Sequence, residues 1–382
     1  MKKYILFRHI ILIVFIFLLG IFLIGCGKKN NSTKRTVIQD TKEDGDFKLV
    51  KINNKWYIGG LVDVEKEEII IPSTLNVYGI WEKAFCDKEK IDSWVYGKEY
   101  NSTLRKVTIE KELKRINDYA FYNCNVLSEI ILPKTVTEIG DCAFYNCIEL
   151  KKVDISNIKK IGDSSFTYSL IDELTFSKSI EKIGHSAFNG CPNIKEVDLS
   201  NCLKLTSIEG WCFSNCSNLN KVLLPKNIKT IERQAFSFCR SLKKIDLPKN
   251  INIIDREAFW ITGLEEIIIP EKVKVIGVNA FESTNISKIV ILGKVKKIAS
   301  NAFCYFIINP NLKIYYKGSL DDWNETTFFY VIGEPSGDRE KVDLKHEDIN
   351  KVDKLFYSEK KPTDTSLKYW HFVDGEAVPW DE

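Results

Sequence analysis

Between Leu104 and Phe303 the apolar positions recur in three short registers that travel together. The first alternates apolar and variable residues, as in Ile130-Ile-Leu132, and often ends in proline (Pro133, Pro225, Pro248, Pro270). The second has the spacing Val136-Thr-Glu-Ile139 and often ends in glycine, and the third reads Ala143-Phe144-Tyr-Asn-Cys147. Aligned on the phenylalanine, the unit falls at Phe85, Phe121, Phe144, Phe166, Phe188, Phe213, Phe236, Phe259, Phe281 and Phe303. The first step is 36 residues, a repeat plus an insertion at roughly Cys86–Thr103, and later steps are 22 to 25. The alternating segment predicts a half-buried strand. Proline ends it because it has no N–H to give the ladder. The Val/Ile-x-x-Ile segment predicts a turn that points two more aliphatics inward, with Gly140, Gly162, Gly184 and Gly277 at a corner of positive φ. Ala-Phe then fills the opposite side. No single unit buries its own apolar face, so the units must stack on one another, their strands forming a parallel sheet with rungs about 4.8 Å apart.

The series Leu-x-x-Ile-x-Leu-Pro, Val-x-x-Ile-Gly, Ala-Phe-x-x-Cys resembles the BspA-like bacterial leucine-rich repeat family over about Leu104–Phe303, plus a degenerate unit at Ile69–Phe85. Ile314-Tyr-Tyr-Lys-Gly-Ser-Leu-Asp-Asp-Trp323 is similar to the strand and tryptophan turn that close such arrays. Tyr357–Pro362 and Tyr369–Gly375 are similar to the tail that follows. Departures are local: Ser165 and Cys212 replace the alanine, Gly293 replaces the proline, and the Asn201–Gly210 unit is longer. The resemblance implies a β-rich leucine-rich repeat solenoid, with a parallel sheet on one face and short turns or helical pieces on the other, capped at both ends. The corresponding plan is a signal peptide at 1–25, a flexible membrane tether at 26–46 and an N-terminal cap with the degenerate repeat at 47–103. The solenoid proper spans 104–310, a capping segment 311–335, and a charged linker with an aromatic tail hairpin 336–382.

The start of the chain sets the compartment. Lys2, Lys3 and Arg8 precede the apolar run Ile10–Ile24, which ends in Leu23-Ile24-Gly25-Cys26. A basic start, a short apolar core and a small residue before the cut fit a secretory signal, and the run is short for a membrane span. An uncleaved N-terminal helix is the competing reading. Leu-Ile-Gly-Cys also resembles the lipobox of bacterial lipoproteins, which implies diacylglycerol on Cys26 and a membrane partner through it. The precursor has 55 basic and 52 acidic residues, and losing Lys2, Lys3 and Arg8 with no acid leaves 52 of each. Such a balance argues against nucleic acid as a partner.

Ten cysteines besides Cys26 invite a disulfide framework. Their positions point elsewhere: Cys124, Cys147, Cys191, Cys216 and Cys239 all sit three residues after the marker phenylalanine, where other units carry Ser169, Thr262 or Thr284. A slot that accepts Cys, Ser or Thr calls for a small side chain, with weak donation to a turn carbonyl. An occasional Cys124–Cys147 bridge stays open. Neither Cys142–Cys147 nor Cys212–Cys216 has partners at zinc spacing, so no metal or other cofactor is expected. Of four histidines, His9 leaves with the signal, His185 reads as a solvated turn residue, His346 lies in a charged stretch and His371 in the aromatic tail. Metalloprotease, nucleophile-elbow, phosphate-loop and dinucleotide fingerprints are absent from the sequence, and Asp321-Asp322 has nothing convergent beside it. The expectation is a protein that is not an enzyme.

With the strand's Ile and Leu pointing inward, the residue between them faces out. That column reads Thr108, Ile131, Asp154, Thr175, Asp198, Leu223, Asp246, Ile268, Val290. The outward column before it is a charge ladder: Lys106, Glu129, Lys152, Glu173, Glu196, Lys221, Lys244, Glu266, Lys288. The mixture of apolar and acidic residues makes Asp154, Thr175, Asp198, Leu223, Asp246, Ile268 and Val290 the candidate partner-binding set. A β-branched side chain also merely suits a strand. The family resemblance implies adhesion or protein binding at the cell surface, toward a host or neighbouring-cell protein. The alternative is a cell-envelope structural or glycan-binding protein acting through Tyr369, Trp370, Phe372 and Trp380.

Overall fold

The computed structural model describes residues 38–81, 84–85, 103–299, 301–303, 311–332, 340–342, 353–359, 366–374 and 376–380. The signal segment, Cys26, most of the Cys86–Thr103 insertion and most of the charged linker lie outside the described residues. Each repeat is one turn of a three-sided coil, and each side carries its own ladder of hydrogen bonds to the next turn.

The first side is the expected parallel sheet. Glu68–Ile71, Lys106–Ile109 and Glu129–Ile131 pair with Ile69, Val107 and Ile130 in register. Further along, Glu196–Asp198 pairs with Lys221–Leu223, and Glu266–Ile269 with Lys288–Ile291 and Lys313–Tyr316. Side chains alternate as a strand requires, Ile267 and Ile269 being buried and Ile268 exposed. The sheet is not continuous, since the segments holding Lys152, Thr175 and Asp246 lie outside its strands. At Asp154, as at Asp198 within its strand, Oδ1 accepts from the N–H two residues ahead at 2.9 Å.

The second side corrects the expectation of a turn. Val/Ile-x-x-Ile forms a second parallel sheet: Arg115–Ile116, Glu138–Ile139, Lys160–Ile161 and Lys182–Ile183 make four strands in order. Ser207–Ile208, Thr230–Ile231, Ile253–Ile254, Val275–Ile276 and Lys297–Ala299 continue the row. Only two residues pair per rung, so the periodicity that betrays a strand never develops. The corner glycines are also corrected, since Gly140, Gly162, Gly184 and Gly277 do not have positive φ. They leave room for the turn beneath: a methyl on Gly162 would stand 2.5 Å from Asp141 Oδ1 and 2.6 Å from Asp141 N. That carboxylate accepts the N–H of Asp163 at 2.8 Å, and Asp118 likewise accepts from Asp141 at 2.9 Å.

The marker phenylalanines hold the third side. All ten stack in one column from Phe85 to Phe303, with centroids 4.9 to 5.8 Å apart and planes within 14° of parallel. The residues two before and two after each inner phenylalanine have positive φ, as at Tyr119 (58°) and Asn123 (59°) around Phe121. The alternation sends every second N–H to the next turn: Tyr119 to Asp141 O, Phe121 to Ala143 O and Asn123 to Tyr145 O, at 2.8 to 2.9 Å. Left-handed conformations are costly for residues other than glycine, and the hydrogen bonds to the next turn compensate for that cost. The cysteine slot behaves as its chemistry suggests. Cys124, Cys147, Cys191, Cys216 and Cys239 donate to the phenylalanine carbonyl of the preceding turn at 3.1 to 3.5 Å. All five are free thiols, so Cys124 and Cys147 are not bridged, while Cys142 is disulfide-bonded. Burial pushes the thiols of Cys147, Cys191, Cys216 and Cys239 up, that of Cys191 to about 11, which disfavours the reactive thiolate.

Both ends are closed. At the start, Phe47–Ile52 and Lys55–Leu61 form a hairpin through Asn53 and Asn54 (φ 47° and 60°), and its Tyr57 and Ile58 pair in parallel with Gly79 and Ile80. Asp40–Asp44, assigned to the tether from sequence, adds an exposed antiparallel strand to that hairpin. At the far end Ser319 caps a helix at Leu320–Asn324 that buries Trp323. Thr327–Ile332 extends the second sheet. Asp353–Tyr357, Lys368–Val373 and Glu376–Pro379 extend the first. One apolar core runs from Phe47 to Phe356.

Replacing Phe188 by alanine removes a wholly buried ring that stacks on two neighbours. We expect a loss of about 3–5 kcal/mol in urea unfolding, with Phe188→Leu costing less. A loss below about 1 kcal/mol would show that the column does not hold the turns together.

Candidate functional site

The outward column of the first sheet is exposed at Asp154, Thr175, Asp198, Leu223, Asp246 and Ile268. Val290 differs. It points outward as the alternation requires, yet it is 4% exposed. The first sheet curls after Lys313–Tyr316 until its last strand, Glu376–Pro379, lies back over Lys288–Ile291. Ala377, Trp370, Leu355 and Tyr315 then pack on Val290 as a second, small core. Lys288 Nζ pins the hairpin through Glu376 at 3.2 Å. Val290 is therefore a packing residue and leaves the candidate surface.

The tail aromatics serve the same closure. Trp370 is wholly buried and donates Nε1–H to Tyr316 O at 3.1 Å. Trp380 donates to Ser358 O at 3.1 Å and stacks on His371 at 3.7 Å. Phe372 alone among the rings named from sequence remains largely exposed, at 39%. Between the curled hairpin and the sheet lies a cleft of about 160 Å3, with Ile268 and Leu292 on one wall and Phe372 and Ala377 on the other.

The charge ladder forms real pairs across turns. Lys106 meets Glu129 at 3.0 Å, Lys221 meets Glu196 at 2.9 Å and Lys244 meets Glu266 at 3.3 Å. Such exposed pairs contribute little to stability, but they neutralise the column beside the apolar one. Ile131, Leu223 and Ile268 stand out of this lattice at 44%, 38% and 46% exposure. Asp198 is partly engaged already, accepting from Ser200 Oγ at 2.6 Å and Ser200 N at 2.9 Å.

A polar cluster that sequence reasoning missed lies at the corner before the phenylalanine column. His185, read as a solvated turn residue, is half-buried against Trp211 at 4.8 Å, and burial lowers its pKa. Arg233 lies over the other partner of that contact, 4.6 Å from the Trp211 ring. Below it, Glu257 is buried and held by Gln234 and by Arg256 Nε at 2.9 Å. Burial, reinforced by the charge of Glu209, raises the pKa of Glu232. The available signal was the break in the Gly-Asp pattern at Glu209-Gly210, Glu232-Arg233 and Asp255-Arg256. His185, Trp211 and Arg233 meet across turns, as do Gln234 and Glu257. Among the described residues no group of three His, Cys, Asp or Glu side chains is placed to hold a metal.

The family model for the BspA type leucine rich repeat region matches in six copies over residues 89–205 and 201–309, more than half of the 382-residue chain. None of the curated proteins matches. Among solved structures, a leucine-rich repeat protein from Bacteroides ovatus is 24% identical with a TM-score of 0.58, over 75% of this chain and 71% of that one. A leucine rich cell surface protein from Faecalibacterium prausnitzii is 19% identical with a TM-score of 0.42, over 76% and 72%. The first of these likenesses supports the fold.

The hydroxyl and N–H of Ser200 hold the Asp198 carboxyl below its usual range. The folded pKa lies below the unfolded one, so the associated stability is present above the ordinary aspartate range and fades as pH falls through the folded value. Ser200→Ala should raise the Asp198 pKa toward the ordinary aspartate range, read by carboxyl chemical shift. An unchanged titration would mean the pair is not formed in solution.

Proposed function

The chain belongs to the BspA-type leucine-rich repeat family, and from that premise we propose that it is a lipid-anchored bacterial surface protein that binds a protein partner on the outer side of its first sheet. The observation that carries this reading is the row Ile131, Leu223 and Ile268, apolar and exposed within an otherwise ion-paired lattice. Scattered exposed apolar residues are ordinary. A row of them on a rigid sheet, flanked by Asp154, Asp198 and Asp246, matches an apolar partner surface with basic groups at its rim. The Ile268 cleft accepts one apolar side chain, and Thr175 lies within the same column. Binding is non-covalent, and acyl chains on Cys26 hold the protein outside the membrane.

The tether has its own test. Cys26→Ser should move the protein from the membrane fraction to the medium, with no incorporation of labelled fatty acid. Retention of the variant in the membrane would mean that an uncleaved helix anchors it. The binding face is tested by presenting the mature chain and an Asp198→Ala, Asp246→Ala, Ile268→Asp variant to serum and extracellular-matrix proteins. A protein retained by the first and reduced about tenfold on the second supports the reading, an effect of about 1.4 kcal/mol. Equal recovery on both would remove this surface from consideration.

A further inference from the structure

The outer side of the second sheet carries a charge pattern unlike that of the first. Both middle residues of each Ile-x-x-Ile segment reach solvent there, as does the corner that follows the first strand. In the earlier turns this side is partly neutralised. Arg115 and Lys160 flank Glu138 at 3.2 and 3.4 Å, Lys182 meets Asp163 at 3.1 Å, and Lys204 meets Glu181 at 2.7 Å.

From Pro225 onward carboxylates nearly disappear from these segments. The segments 225–231, 248–254, 270–276 and 293–298 hold eight lysines and one carboxylate, Glu271. Lys226, Lys229, Lys249, Lys274, Lys296 and Lys297 are exposed. No ion pair engages any of these six among the described residues. Lys272 donates to Asn250 Oδ1 at 2.9 Å, and Lys294 pairs with Asp322. The places of Glu138 and Glu181 are taken in these turns by Thr230, Ile253, Val275 and Asn252. Because Thr230, Ile253, Val275 and Lys297 pair in register, successive turns lie about 4.8 Å apart, and each carries at least one lysine, with Asn252 interrupting the column Lys229, Lys274, Lys296. Like charges in such a row repel, and the fold retains the repulsion without an internal counterion.

We propose that this lysine row is a binding site for a linear sulfated polysaccharide laid along the coil axis. A straight row of ammonium groups suits a chain whose anionic groups also repeat along a line. Between them Thr230 and Asn252 present a hydroxyl and an amide to sugar hydroxyls. No aromatic residue lies in these four segments to stack a base, which disfavours single-stranded nucleic acid. Ile253 is the single large aliphatic side chain exposed among them, at 37%, too little to anchor in a bilayer. The balanced charge of the mature chain does not oppose the site, since local segregation rather than net charge sets the field at the sheet. This face is separate from the one proposed to bind protein.

The experiment measures heparin binding by the mature chain at about 0.15 M salt and across a salt series. The row predicts measurable affinity that falls linearly in log K against log salt. Lys229→Glu, Lys274→Glu, Lys296→Glu combined should weaken binding about tenfold or more and flatten the salt slope. The neutral Gln versions should shift both in the same direction by less. Lys48→Glu, Lys151→Glu, Lys195→Glu, an equal change of net charge elsewhere, should leave affinity within about twofold, with thermal melts reporting that each variant folds. Absence of heparin binding, equal loss in both Glu triples, or unchanged affinity in the Gln triple would overturn the proposal. So would duplex DNA or anionic phospholipid vesicles binding as tightly as heparin, which would mark the row as a general basic surface.

Discussion

Stacking in register, turn upon turn, is the constraint on which the rest of this molecule depends. The phenylalanine rings repeat at 4.9 to 5.8 Å, close to the spacing at which parallel strands pair. One translation therefore satisfies the aromatic column, two sheets and the hydrogen-bonded turns of the third side together. A residue that breaks the translation on one side breaks it on the others, which is why the apolar interior repeats so strictly. Each turn borrows its partners from its neighbours, and the ends need dedicated closure: a hairpin at Phe47–Leu61 and the Trp323 helix with the curled tail.

Local exchanges show how the constraint is met with different chemistry. Glycine stands at Gly140, Gly162 and Gly184 because an aspartate of the turn below, Asp118, Asp141 and Asp163 in order, occupies the space a side chain would need. Where the turn below supplies His185, Gly210 or Arg233 instead, the glycine gives way to Glu209, Glu232 and Asp255, and a polar cluster with Trp211 takes over. Ser165 stands in for alanine by donating to Gly140 O and Gly162 O at 2.9 and 2.7 Å. In each case a buried polar group is introduced together with its partner.

With the interior committed to stacking, the outward positions are free to differ, and they do so by face. The first sheet pairs its charges and lifts isolated aliphatics above them. The second pairs part of its charges in the early turns and carries lysines with few carboxylates in the later ones. The tail hairpin bounds the first face, burying Val290 and leaving Ile268 at the rim of a cleft. A coil of this kind carries two outer faces of different character along one stacked core.

How much of this was legible beforehand follows from the range of the interactions. The repeat, its first strand, the inward phenylalanine and the unbridged cysteine slot were readable because each recurs at fixed spacing, and a recurring apolar residue has few physical uses. The second sheet was not, because two-residue strands show no alternation. The role of the corner glycines was hidden because the atom each avoids belongs to another turn. Val290 and Ile268 occupy the same column with the same strand pattern; one is buried and one exposed only because a strand nearly ninety residues further along, Glu376–Pro379, folds back over the first. By itself the amino-acid order determined a stacked coil and the identity of its interior, since those rest on contacts repeated between adjacent units. The tertiary structure alone decided which outward residues meet solvent and which charges find partners, since those depend on single contacts between distant segments that no periodicity records.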